Sequence, residues 1–421
     1  MTRRILMYSH DTFGIGNIRR TLELCRAMTQ RVPDLSILVI TGAAVADTFR
    51  IPANVDYVKL PALRRTGRGS YHARAEGFAT PSVRSMRADI CSAAVEHFAP
   101  DLVLVDKAPF GVDGELTGAL ERTHIHNPAC RHVLVLRDIL DAGEVIRADW
   151  HARNIGQAIA DNYDAVWVFG SPALFDLARE YALPAAMVRK LMYLGLMGRI
   201  EPPASSAEIR RSLGLDGRPF VLFTAGGGDD GEHLLATSSR ALAGLERSEP
   251  GLQSVLVSGP LADPELRYQL GMVCRESERR HFHEYTTELT SWMNAADAVV
   301  AMGGYNTMCE ILWLRKHALI VPRNHPVREQ AVRARRLADL GAVRMCLPAD
   351  LTPERLIAEV RHLLHDFRPA ALPPHHFPFD GLARASEEAA RLLAAAPGPL
   401  DQGSAAILST AQALPRWARE G

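Results

Sequence analysis

Residues 297–312 read DAVVAMGGYNTMCEIL. The apolar run in DAVVAM predicts a buried strand that delivers the chain into Gly303-Gly304, and from Tyr305 onward the spacing is that of an amphipathic helix. A strand ending in paired glycines that open a helix leaves backbone N–H groups and the positive end of a helix dipole directed into one crevice. Such a crevice is an anion site. Thr307 and Glu310 stand three apart and share a helix face, with Asn306 in the same first turn. A carboxylate beside bound phosphates repels them unless it has hydroxyls to grip, so the block describes a nucleotide and its ribose.

Working outward, the same alternation of strand and helix recurs on both sides. FVLFTA (220–225), SVLVSG (254–259), AVVAM (298–302), ALIVP (318–322) and AVRMCL (342–347) form one series. RRILMYS (3–9), LSILVIT (35–41), DLVLVD (101–106), HVLVLRD (132–138) and AVWVFG (165–170) form another. Apolar runs without alternation read as strands buried on both faces, hence parallel sheets with crossover helices. The fold class is therefore α/β, with two Rossmann-like, doubly wound parallel-sheet lobes expected to face a central cleft. The expected divisions are an acceptor lobe at 1–195, a Gly/Pro-bearing hinge linker at 196–206 and a donor lobe at 207–366. A Pro/Ala-rich tail at 367–421 carries a helix near 383–396.

Composition narrows the partners. Lys plus Arg and Asp plus Glu number 48 each, so no global field draws the chain to nucleic acid, and none is expected as a partner. The six cysteines are scattered without a CxxC pair, as befits reduced core thiols. No apolar run reaches the length of a membrane span, and the N-terminus lacks the pattern of a signal peptide. A cytoplasmic protein is expected, with a peripheral contact on the inner face of the membrane left open.

Other Gly-bearing loops follow strands. HDTFGIGN (10–17) presents Gly14 and Gly16 ahead of Asn17 and Arg19, which is GxGxxR where a dinucleotide fingerprint needs a third glycine. AGGGDDG (225–231) brings Gly227 and Gly228 to the cleft, but Asp229 and Asp230 stand where a pyrophosphate would approach. No dinucleotide cofactor is expected. His10 and Asp11 directly follow the first strand, and Asp106 ends DLVLVD, so all three are candidates to take a proton from an acceptor hydroxyl. For Asp106, an ion pair with Lys107 is an equal alternative.

Glu329 and Gln330 open a helix after ALIVP, where an amide suits sugar hydroxyls and a carboxylate suits the helix N-terminus. Segment 59–87 holds Lys59, Arg64, Arg65, Arg68, Arg74, Arg84 and Arg87 against Glu76 alone. It is either a solvated face or a surface for a phosphorylated acceptor or anionic membrane. HIHNPACRH (124–132) gathers His124, His126, Cys130 and His132, yet its spacing matches no zinc pattern. With no Asp-x-Asp in the chain either, no metal is expected.

Taken together, AADAVVAMGGYNTMCEIL, ALIVPR and EQAVRARRLADLG resemble the donor-binding half of GT-B glycosyltransferases related to the peptidoglycan lipid-intermediate N-acetylglucosaminyltransferase. With HDTFGIGNIRR, VDKAPFG and TAGGGDDGE, the chain resembles more closely a group of predicted bacterial glycosyltransferases, over residues 3–345. The resemblance implies that Glu310 holds the ribose diol, that Gly303, Gly304 and Thr307 lie by the diphosphate, and that Gln330 touches the donor sugar. Backbone around Phe282 to Tyr285 would meet the base. Relatives commonly carry histidine where this chain has Asn17, and asparagine is no general base at neutral pH.

The expected activity is a metal-independent, inverting transfer of a hexosyl or N-acetylhexosaminyl group from a nucleotide-sugar donor, UDP-linked, to a hydroxyl on a saccharide, lipid-linked or other acceptor. A nucleotide-sugar hydrolase or 2-epimerase of the same fold, or a catalytically weak nucleotide-sugar binding protein, stands as the alternative.

Overall fold

The computed structural model describes residues 2–10, 16–43, 50–67, 70–215, 217–227, 230–323 and 325–394. Asp11, Gly14, Arg68, Gly228 and Asp229 lie outside the described residues. The chain divides into two compact units, Gly198–Phe379 and Met1–Met197 together with the stretch from Asp380.

Along the first unit run β1 (Arg3–Ser9), β2 (Leu35–Thr41), β3 (Val55–Lys59), β4 (Leu63–Gly67), β5 (Ser70–Ala73), β6 (Leu102–Asp106), β7 (Arg131–Arg137), β8 (Ala165–Phe169) and β9 (Leu191–Tyr193). All but β4 and β5 join one sheet in the order β3-β2-β1-β6-β7-β8-β9, with every neighbouring pair parallel. β4 and β5 make a separate antiparallel hairpin. The central strands β1, β6, β7 and β8 are buried almost throughout, which is why they read as unbroken apolar runs.

The second unit carries β10 (Phe220–Thr224), β11 (Gln253–Val257), β12 (Arg280–His283), β13 (Ala298–Ala301), β14 (Ala318–Ile320) and β15 (Arg344–Met345). Their order is β12-β11-β10-β13-β14-β15, again all parallel. Its core packs Val221, Phe223 and Val300 against Leu235, Leu242, Leu356 and Val360 from the helices on one face.

The strands that periodicity did not predict are β3, β9, β12 and the hairpin. β3, β9 and β12 are sheet edges and only partly buried, so their sequences VDYVK, LMY and RHFH carry no sustained apolar signal. The helix expected near 383–396 spans Gly381–Ala394 and packs on the helix Gly16–Arg31, burying Leu382, Ala385, Ser386 and Ala389 along one face.

In each sheet the order reverses once, between β1 and β6 and between β10 and β13. In open parallel sheets, ligands bind outside the carboxyl ends of strands at that reversal, because the crossover connections diverge to opposite faces there and leave a crevice. His10 follows β1 and Asp106 ends β6. Ala225 follows β10, and Met302-Gly303-Gly304 follows β13.

Candidate functional site

In the second unit the crevice is built from three loops. Thr224 ends β10, and its hydroxyl accepts from Gly226 N at 3.1 Å, curling the loop into a turn that places Gly226 at φ +66°. A side chain there would be strained, and its Cβ would lie 3.8 Å from Thr307 Oγ1, so this loop runs directly past the helix Tyr305–Trp313. Gly304 is the N-cap of that helix, with extended backbone and no side-chain cap. A Cβ on Gly304 would meet nothing within 4 Å.

Gly303 is the opposite case. A Cβ on it would stand 3.2 Å from Gln330 Cβ and 3.3 Å from both Gln330 O and Ile320 Cγ2. A side chain here would push its neighbours apart by a few tenths of an ångström, so glycine lets β13 turn this close to the helix Glu329–Asp339 without strain. That helix grips the turn a second time, since Arg333, 1% exposed, donates from Nη1 to Gly303 O at 2.9 Å and lies over the Tyr305 ring at 5.7 Å.

Glu310 is buried at 3% exposure, and its Oε1 accepts from Thr290 Oγ1 at 3.0 Å and from Arg199 Nη2. Gln330 turns its Oε1 onto Arg323 N at 3.0 Å. The Arg323 guanidinium bridges two carboxylates, Asp230 at 2.5 Å and Glu329 at 2.6 Å, tying the loop after β10 to the loop after β14. Burial pushes the Asp230 carboxyl above its ordinary range, against the opposing pull of Arg323. Thr307 therefore lies beside the loop after β10 and Gln330 beside Gly303, while Glu310, on the same helix as Thr307, is engaged by Thr290 and Arg199.

Around the expected base position, the carbonyls of His283 and Glu284 accept from Ser258 N and Gly259 N. The His283 ring meets Trp292 edge to face at 4.7 Å.

In the first unit, Asn17 donates to His10 O at 2.5 Å and accepts from Arg20 Nη2 at 3.4 Å. The same Arg20 Nη2 pairs with Asp106 Oδ1, both side chains being buried. Asp106 is therefore paired with Arg20 rather than Lys107, and its Oδ2 is buried without a hydrogen-bond partner among the described residues. Asn17, in a buried first helical turn, ties the loop carbonyl to Arg20, while Gly16 and Arg19 are half-buried beside it.

The basic run separates into parts. Arg87 is fully buried, holding Glu115 through two bonds of 2.6 and 2.8 Å and Pro61 O at 2.6 Å, and Tyr8 donates to the same Glu115 at 2.5 Å. Arg84 pairs with Asp113, a non-glycine residue held at φ 52° in the loop after β6. For these two the reading as a solvated face or anion-binding surface is corrected, because each neutralises a carboxylate that shapes this loop. Lys59, Arg64 and Arg74 are exposed, as are Phe78 at 60% and Met86 at 45%.

The histidine cluster is a packing feature. His132 is fully buried with Nε2 2.8 Å from Thr123 Oγ1, and its ring lies 4.4 Å from that of His124. Burial, and then His124, hold its pKa down at about 4.

Sequence reasoning did not single out Arg323 and Arg333 in the second unit, Arg20 in the first, Arg199 or Thr290. Two of these had a signal. Gln330, Arg333, Ala334 and Leu337 share the buried stripe of their helix, and Arg20 lies within the buried stripe of Asn17, Thr21, Leu24 and Met28. An arginine on a buried stripe must serve a specific acceptor.

Residues 221–373 match the family model described as the Glycosyltransferase family 28 C-terminal domain. A UDP-N-acetylglucosamine–N-acetylmuramyl-(pentapeptide) pyrophosphoryl-undecaprenol N-acetylglucosamine transferase from Haemophilus influenzae (strain PittEE) is 32% identical over 108 residues, 26% of this chain and 30% of that protein. The chain thus spans about a third of the length of this curated relative. Among solved structures, MurG of Acinetobacter baumannii superposes with TM-score 0.52 at 13% identity, covering 97% of this chain and 100% of the other. UDP-GlcNAc 2-epimerase from Neisseria meningitidis bound to UDP-GlcNAc superposes with TM-score 0.60 at 11% identity, covering 92% and 100%. The architecture is the GT-B fold.

Proposed function

We propose, from the premise that the second unit holds a family 28 glycosyltransferase C-terminal domain on a GT-B fold, that this protein transfers a sugar from a UDP-linked donor to an acceptor hydroxyl with inversion. The observation that carries this reading is that the stretch matched by the family model contains the Gly303-Gly304 turn, open at Gly304, that starts the helix bearing Thr307 and Glu310, with Gln330 packed on Gly303. In this reading Glu310 takes the ribose diol, the first turn after Gly304 takes the diphosphate, and Gln330 meets the sugar. Glu329 holds Arg323 in place beside it.

The acceptor oxygen attacks the anomeric carbon as the bond from that carbon to the diphosphate oxygen breaks and its electron pair leaves with UDP. The acceptor proton passes to a base of the first unit. Among His10, Asp11 and Asp106 we assign it to Asp106 Oδ2, because Arg20 engages the other oxygen and leaves Oδ2 buried without a hydrogen-bond partner among the described residues. Helix-end amides stabilise the departing diphosphate without a metal.

The donor sugar is a hexose or N-acetylhexosamine, and the acceptor a saccharide or lipid-linked hydroxyl compound. Among the described residues no helix is long and apolar enough to cross a membrane. Phe78 and Met86, exposed in the same segment as exposed Arg64 and Arg74, support a peripheral contact with an anionic leaflet.

The test is calorimetric binding of UDP-sugars to the wild-type protein and to Glu310→Ala. Marked loss of affinity in the variant is expected, and unchanged affinity sinks the assignment. The likeness to the 2-epimerase favours a second reading, epimerase or hydrolase. Incubation with UDP-N-acetylglucosamine and no acceptor decides, since an epimer or free sugar would replace transfer as the activity.

A further inference from the structure

We infer that Arg333 is a positioning residue for the leaving diphosphate, acting through the peptide group that joins Gly303 to Gly304; the inference rests on the donor-site reading above. The Arg333 guanidinium is 1% exposed and donates from Nη1 to Gly303 O at 2.9 Å. The N–H belonging to that same peptide group is the Gly304 N–H, at the N-cap of the helix Tyr305–Trp313, where no side chain caps the helix and a Cβ would find open space. A cation bonded to the carbonyl of a peptide draws electron density toward the oxygen and makes the N–H a stronger donor.

The effect is aimed. Arg333 touches the far side of the glycine turn, behind the face that Gly304 leaves open, so it contributes positive potential without occupying ligand space. Its position is enforced twice over, by packing over the Tyr305 ring at 5.7 Å and by its place on the buried stripe beside Gln330, whose backbone closes on Gly303. Burial strengthens the interaction, because a charge screened from water acts over a peptide's length with little attenuation. Charge that develops on the diphosphate as the bond to the sugar breaks is thereby met by a polarised amide and a helix dipole backed by a full cation. A lysine at this position keeps the charge without the fork, whereas a methionine or glutamine loses the charge.

The experiment compares UDP with uridine by titration calorimetry on the full chain, using wild type, Arg333→Met, Arg333→Gln and Arg333→Lys. Uridine reports the nucleoside part of the site and the integrity of the fold, and the ratio of the two affinities reports the diphosphate part. In the two neutral variants the UDP-to-uridine ratio is expected to fall by about tenfold, the size associated with losing one charge-assisted hydrogen bond, with uridine affinity unchanged. Arg333→Lys is expected to keep most of the ratio. A ratio retained in a folded neutral variant overturns the inference. If neither neutral variant gives a melting transition, Arg333→Lys decides, and loss of the ratio in it overturns the inference. Absence of any UDP or uridine binding by wild type would instead overturn the donor-site reading itself.

Discussion

Gly303 lies so close to Gln330 that a Cβ on it would stand 3.2 Å from the glutamine's own Cβ, whereas a Cβ on the next residue would meet nothing within 4 Å. The two glycines of one pair therefore have different reasons to be glycine. Gly303 is set by packing, and Gly304 faces open space, which the donor-site proposal gives to the ligand. Gly303→Ala is expected to cost about 1–3 kcal/mol of stability by overpacking, seen as a lowered melting temperature. Gly304→Ala should cost no more than about 1 kcal/mol, since alanine is a poorer N-cap than glycine, but lose affinity for UDP. Equal melting of the two variants would contradict the division.

Asp106→Asn removes the proposed base while keeping its shape. Turnover is expected to fall by about 10²–10⁴, the range for losing general-base catalysis, with the donor KM little changed. His10→Asn serves as the comparison. A larger loss of turnover in His10→Asn would transfer the role to the histidine.

Arg323→Met leaves Asp230 and Glu329 facing each other without their cation. Breaking a buried pair from one side costs about 3–5 kcal/mol, and Asp230 is already pushed upward by burial, so its folded pKa rises further. A raised carboxyl pKa penalises the folded state above that pKa and relaxes below it. The variant's deficit should thus be greatest at neutral pH and shrink as the pH is lowered, in denaturant titrations at several pH values. A deficit independent of pH would show that lost packing, not charge, is responsible.

His132 has its pKa lowered from 6.5 to about 4 by burial and by His124. The unfolded chain binds a proton at a pH where the folded one refuses it, so this group's contribution is whole above pH 6.5 and is lost as the pH falls to about 4. The loss amounts to about 3 kcal/mol over that window. His132→Gln should flatten the acid limb of the stability profile, and an unchanged limb would place the acid sensitivity elsewhere.

Much of this was legible without coordinates. β1 and β2 coincide with the apolar runs RRILMYS and LSILVIT, since strands buried on both faces must be apolar throughout. The glycine pair, Thr307, Glu310 and Gln330 could be named from spacing and resemblance. Edge strands such as RHFH could not, because their partly buried residues tolerate polar side chains.

By itself the sequence determined the α/β class, the alternation of strands and helices and the strand-to-helix turn at the glycine pair, all of which depend on neighbours along the chain. Tertiary structure alone decided which arginines act. Arg20 reaches Asp106 across 86 positions, Arg87 reaches Glu115 across 28 and Arg323 reaches Asp230 across 93. The pairing of a long charged side chain depends on which strand ends the sheet order brings together. That order is set by packing among elements distant in sequence, and no local pattern records it.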